Sequence, residues 1–170
     1  MGMSVVMGID PGAANLGFGM VASRHGRMVA LDGGVITTEP SAPMGERLDH
    51  LFTMIGSLIE SHRPAAVAIE DVYFGKNVQS AMAVGRASGV AMLAAAQRGL
   101  ECHAYTPQAI KMAVCGSGAA DKGQVQRMVG TLLGLDEAPS PDHAADALAV
   151  AICHVGRLPH QASMARGLAV

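Results

Sequence analysis

The chain has 170 residues, half of them hydrophobic and only 15% charged, which suits one folded domain and excludes a disordered chain. Twelve Lys and Arg against 14 Asp and Glu leave a net charge of −2, which does not advertise nucleic-acid binding, although clustered acids can hide a local basic groove in the sum. No apolar run reaches the roughly 20 residues that span a bilayer, and the first residues carry no basic n-region or cleavage site, so the expectation is a cytoplasmic protein.

Residues 4–9 form a short apolar run that ends in Asp10, with Pro11-Gly12 directly after it. A second, Gly-rich apolar run covers residues 16–21, and a third covers 27–38, broken by Gly33-Gly34. The three read as antiparallel strands, with a bulge or tight turn expected at the two glycines. Residues 46–62 place Leu48, Leu51, Phe52, Ile55, Leu58 and Ile59 at helical spacing, and Arg63-Pro64 stops the helix. The run 65–69 is a buried strand ending in Glu70, and the helical crossover places it parallel to the first strand. Residues 71–77 (DVYFGKN) read as a polar and aromatic loop.

Residues 80–97 are rich in small apolar residues at a helical period. A short strand follows at 101–104, closed by Thr106-Pro107. Helices are expected at 108–114, stopped by Gly116-Ser117-Gly118, and at 121–133, with Asp121 as N-cap. A Pro-rich loop at 134–141 leads to the last helix, 142–154, with Asp142 at its cap. Residues 156–170 form a polar, Gly- and Pro-containing tail expected to fray. The organisation is α/β: a single domain over 1–155 and a flexible tail over 156–170. Cys102, Cys115 and Cys153 show no C-x-x-C spacing, which argues against a disulfide framework or a zinc site.

Asp10 and Glu70 end two strands of the same polarity. If these strands are neighbours, a spacing of about 5 Å brings the carboxylates together, and they repel unless a cation sits between them. His143 and Asp146 lie three apart on one face of the last helix, on a segment otherwise built for burial. Such a ligand set suits hard divalent cations, and a two-metal site would make a phosphodiester hydrolase. Singly, each residue has a plainer role: turn chemistry for Asp10, a solvated strand end for Glu70, a helix-start acid for Asp146, and a structural imidazole for His143. The order strand-Asp, strand-Glu, helix-Asp outweighs these.

The motifs GIDPG, AIEDVYFGKN, KMAVCGSGAADKGQVQRMV and HAADALAVAI occur in this order over residues 5–153. In them the chain resembles the RuvC-type Holliday-junction resolvases. The resemblance implies an RNase H-like fold, with a mixed five-stranded sheet of three antiparallel and then parallel strands flanked by helices. It also implies a homodimer that uses Mg²⁺ or Mn²⁺, two per site, and cuts opposed strands of a four-way DNA junction in paired, symmetric nicks. The ends would be 5′-phosphate and 3′-hydroxyl, and the setting homologous recombination and DNA repair, with RuvA and RuvB as branch-migration partners.

Carried onto this chain, the resemblance assigns metal binding to Asp10, Glu70 and Asp146, and a fourth position, Asp or His in the family, to His143. An imidazole there favours Mn²⁺ over Mg²⁺. Lys111 and Lys122 match two lysines beside the scissile phosphate, and Lys122 is read as catalytic. Tyr73 takes the position of a junction-wedging aromatic, with Phe74 beside it to stack on bases. Lys76, Asn77 and Arg86, with Arg127, are candidate phosphate contacts. Ala81, Gly85 and Gly89, four apart on one helix side, are expected to form the dimer seam. Two rivals are an actin-like, RNase H-related ATP-binding domain and a non-catalytic junction-binding module. GSGAADKG is no Walker A motif, a domain this short lacks the second lobe that would enclose ATP, and a non-catalytic module predicts missing acids.

Overall fold

A computed structural model describes residues 4–71 and 78–158. Tyr73, Phe74, Lys76 and Asn77, and most of the expected tail, lie outside the described residues.

The sheet has five strands. β1 (Ser4–Asp10) pairs antiparallel with β2 (Asn15–Arg24), which pairs antiparallel with β3 (Arg27–Thr37). Helix α1 (Met44–His62) crosses to β4 (Ala66–Glu70), parallel to β1. Helix α2 (Val78–Ala96) crosses to β5 (Cys102–Tyr105), parallel to β4. The strand order is β3-β2-β1-β4-β5. Three further helices follow: α3 (Pro107–Cys115), α4 (Lys122–Leu133) and α5 (Asp142–Val155).

Strand alternation sorts the side chains into two cores. Met7, Ile9, Leu16, Met20, Val67 and Ile69 pack with α1 and α2. Val6, Val21 and Ala68 pack on the other face with α3, α4 and α5. Helix α5 is apolar on nearly every side and is buried from Ala144 to Val155 except at Asp146, as expected of a helix enclosed by its own domain.

Glycine makes the seat for α5. A Cβ on Gly8 would overlap the carbonyl oxygen of Ala147, one on Gly17 would overlap that of His143, and one on Gly19 would press on Leu148. Gly8 pairs with Gly19 and Asp10 with Gly17. The helix backbone therefore lies directly on the sheet, beside the end of β1. At the far end of α5, buried His154 sits with Nδ1 2.7 Å from the Tyr105 hydroxyl. Burial, then nearby His103 and Arg157, pushes the His154 imidazole down to about 4, so it stays neutral and packs as part of the core.

Three local expectations change. The bulge in β3 is at Leu31: Met20 pairs with Asp32 and Val21 with Ala30. Gly33 and Gly34 pair in regular register and serve packing instead, because a Cβ on Gly34 would meet the Phe18 ring at 3.0 Å. The cap of α5 is Pro141, which makes Asp142 the first helical residue, and no side chain caps that helix. Thr106 caps α3, with Pro107 in its first turn, so that helix begins one residue earlier than its apolar period suggests. Asp121 caps α4 as expected, and with Gln124 it forms a reciprocal capping box. All three cysteines are free.

Candidate active site

Asp10 follows Ile9, whose side chain faces α1 and α2, so alternation turns Asp10 to the α5 side. Glu70 follows Ile69 in the same way. Ile9 and Ile69 are parallel partners, which puts both carboxylates one step further along neighbouring strands. The turn after Asp10 is pinned from outside, with Thr38 Oγ1 donating to the Ala13 carbonyl at 2.6 Å and Thr38 N to that of Ala14 at 3.0 Å. From the first turns of α5, His143 and Asp146 reach the same edge.

The four expected ligands are thus brought together. His143 Nδ1 lies 2.7 Å from Asp10 Oδ2. Burial, then Asp10 and Asp146, pushes the Glu70 carboxyl up to about 7. Asp146 is also raised, by burial first, with Lys122 opposing. Lys122 Nζ sits 3.5 Å from Asp146 Oδ2 and 3.0 Å from Asp142 Oδ2. The ammonium is held above its usual range, first by the bond to Asp142. Lys111 lies near enough to Glu70 to oppose its upward shift. A cavity of about 250 Å³ opens among Glu70, Lys111, Lys122 and Asp146, with Ile110 and Val125 as its apolar wall.

The donor set fits a divalent cation. Three carboxylates converge, and one of them is driven towards neutrality by burial first and by its acidic neighbours second. The chemistry is oxygen-rich and hard, with one imidazole. Among the described residues no three such side chains already form a finished metal cage. His143 contacts Asp10, and Lys122 contacts Asp146.

Of the other expected contacts, Lys111 and Lys122 border the cavity and Arg86 and Arg127 do not. Arg86 is exposed on α2, and Arg127 is exposed on α4 beside a second hollow with Ser117 and Gln124. Sequence reasoning missed the pairing of Asp142 with Lys122 and Gln126. Its signal was the doubled Asp142-His143 at the head of α5, which pointed to capping instead.

The family model for the crossover junction endodeoxyribonuclease RuvC matches residues 6–154. The chain belongs to the RuvC family. The crossover junction endodeoxyribonuclease RuvC of Chloroflexus aurantiacus is 49% identical over 153 residues, 90% of this chain and 93% of the relative. The Thermus thermophilus RuvC structure superposes with a TM-score of 0.86 at 39% identity, covering 92% of this chain and 96% of that one. The same RuvC in complex with Holliday junction substrate also gives 0.86, at 40% identity and coverages of 89% and 93%. The mixed sheet with its flanking helices is accordingly the RNase H-like fold of RuvC. RuvC members are divalent-metal endonucleases that act on Holliday junctions in recombination, and this chain is one of them. Among the described residues no helix is long and apolar enough to cross a membrane.

Proposed function

We propose that this chain resolves four-way DNA junctions by paired, symmetric nicks in opposed strands, leaving 5′-phosphate and 3′-hydroxyl ends. The observation that carries the reading is the convergence of Asp10, Glu70 and Asp146 beside two lysines that border an open cavity. Asp10, Glu70, Asp146 and His143 would hold Mg²⁺ or Mn²⁺, two per site. The cations, when bound, supply Lewis acidity and an activated water for in-line attack on the phosphodiester.

The chain's own residues do the rest. His143 Nδ1 faces Asp10, a contact that would orient the ring with Nε2 towards a metal. Lys122 and Lys111 hold the phosphate at the cavity mouth and meet the negative charge that develops there. Tyr73 and Phe74 enter the junction centre by stacking, while Lys76, Asn77, Arg86 and Arg127 add phosphate contacts along the arms. These contacts read backbone shape, so binding weakens with salt. A cytoplasmic setting with RuvA and RuvB as branch-migration partners belongs to the same reading.

A homodimer supplies the second nick. Helix α2 leaves Met82 50% and Leu93 51% exposed, and a Cβ on Gly85 or Gly89 would meet nothing within 4 Å among the described residues. The face is apolar and open to a close backbone approach. A two-fold pair of such faces would present two equivalent sites to a two-fold junction.

Cleavage of a synthetic four-way junction tests the reading. The expected products are symmetric nicks that DNA ligase reseals, formed faster in Mn²⁺ than in Mg²⁺ because one ligand is an imidazole. His143→Asp is expected to narrow the gap between the metals. Unpaired cuts would contradict junction resolution. Equal rates in both metals, unchanged by His143→Asp, would contradict the role given to His143.

A further inference from the structure

Asp142 is the acid nearest to Lys122. Its Oδ2 lies 3.0 Å from Lys122 Nζ, while Asp146 Oδ2 is 3.5 Å from the same atom. Its Oδ1 accepts from Gln126 Nε2 at 2.8 Å. Lys122 and Gln126 are four apart on α4 and so share a helix face. One carboxylate at the head of α5 is therefore bracketed by two donors from the first turns of α4. Pro141 is the cap residue of α5, which leaves the Asp142 carboxylate for this bracket.

We propose that Asp142 is a positioning residue for Lys122. It keeps the ammonium at the cavity mouth once Asp146 is given up to a divalent cation. The inference rests on the metal-dependent reading above.

An ammonium has three donors, so Lys122 can serve both acids while the site holds no cation. With a divalent cation bound, Asp146 would no longer be free to accept from Lys122, and the ammonium would be repelled. Lys122 has a flexible four-carbon stem, and without a second anchor it would swing into solvent. Asp142, fixed by Gln126, holds it beside the place where phosphate arrives. In the Asp142→Asn variant Lys122 has two faults. It leans on Asp146 alone and competes with the entering cation. Once displaced, it has no charged anchor left.

The test uses the full chain in six forms: parent, Asp142→Asn, Asp142→Glu, Lys122→Ala, the double variant Asp142→Asn with Lys122→Ala, and Asp10→Asn. Mn²⁺ binding without DNA is measured by calorimetry, and junction cleavage by steady-state kinetics. Asp142→Asn is expected to weaken Mn²⁺ binding and lower kcat by roughly threefold each, the scale of an exposed ion pair, with KM for the junction unchanged. Asp142→Glu is expected to restore most of both. In the Lys122→Ala background, adding Asp142→Asn is expected to change neither. An equal loss in both backgrounds, or no loss beside an intact Lys122, would overturn the positioning role. If Asp10→Asn leaves Mn²⁺ binding and cleavage intact, the metal-dependent reading falls, and this proposal with it. Equal losses in a protein that Asp10→Asn does inactivate would overturn the positioning role alone.

Discussion

Gly17→Ala is expected to unseat α5 and cost the protein both stability and activity. The added methyl would occupy the place of the His143 carbonyl oxygen. A backbone atom cannot rotate away as a side chain can, so the helix itself must move. Overpacking of this kind costs on the order of 3 kcal/mol, a fall in Tm of roughly 10 °C for a domain of this size. The same shift carries His143 from Asp10 and Asp146 from the site, so cleavage falls beyond what the unfolded fraction explains. Gly45→Ala in α1, where a Cβ meets nothing within 4 Å among the described residues, is expected to leave Tm level or slightly higher. Thermal melts and cleavage at a temperature where both variants are folded check the pair. A Gly17→Ala protein as stable and active as the parent would mean that α5 does not rest on the strand backbone.

Glu70→Gln is expected to raise stability and abolish cleavage together. Burial and the neighbouring acids lift the Glu70 carboxyl from 4.5 to about 7 in the folded chain. Because the folded value is the higher one, its stabilising contribution is complete below pH 4.5 and is lost as the pH rises through about 7. The loss is on the order of 3 kcal/mol above that point. The parent, held in chelator, should therefore melt lower at pH 8 than at pH 5 by several degrees more than the Gln variant does. At pH 5 the two should nearly coincide, since a protonated Glu and a Gln have the same shape and charge. Mn²⁺ should recover the parent at pH 8 by neutralising the acids, and should do much less for the variant. Parallel melting curves for parent and variant across this range would contradict the strained carboxylate cluster.

Much of this site is legible in the chain because its acids sit where the period of the sequence changes. Asp10 and Glu70 each close an apolar strand, so alternation alone sets the face they share. Asp146 interrupts an otherwise apolar helix, and a charge there needs a partner. The glycines of β1 and β2 are harder to read. Gly8, Gly17 and Gly19 resemble turn or bulge residues until it is known that α5 crosses their face, a long-range fact. Gly33-Gly34 misleads for the same reason: Gly34 makes room for the Phe18 ring, while the register shift falls at Leu31. Asp142 has the chemistry of an N-cap, and only the approach of α4 reassigns it to Lys122. Local chemistry sets the candidate ligands; packing between distant elements decides what surrounds them.

The central claim is that Asp10, Glu70 and Asp146 form one metal-dependent cutting site. The most direct measurement is Mn²⁺-dependent nicking of a synthetic four-way junction by the parent and by Asp10→Asn, with junction binding followed in parallel. Asn keeps the shape of Asp and removes a negative charge from beside the phosphate, so binding should be equal or tighter. Nicking should fall roughly a hundredfold or more, the scale of losing one charge-stabilising group at a reacting centre. Cleavage that survives the substitution at the parent rate would contradict the account.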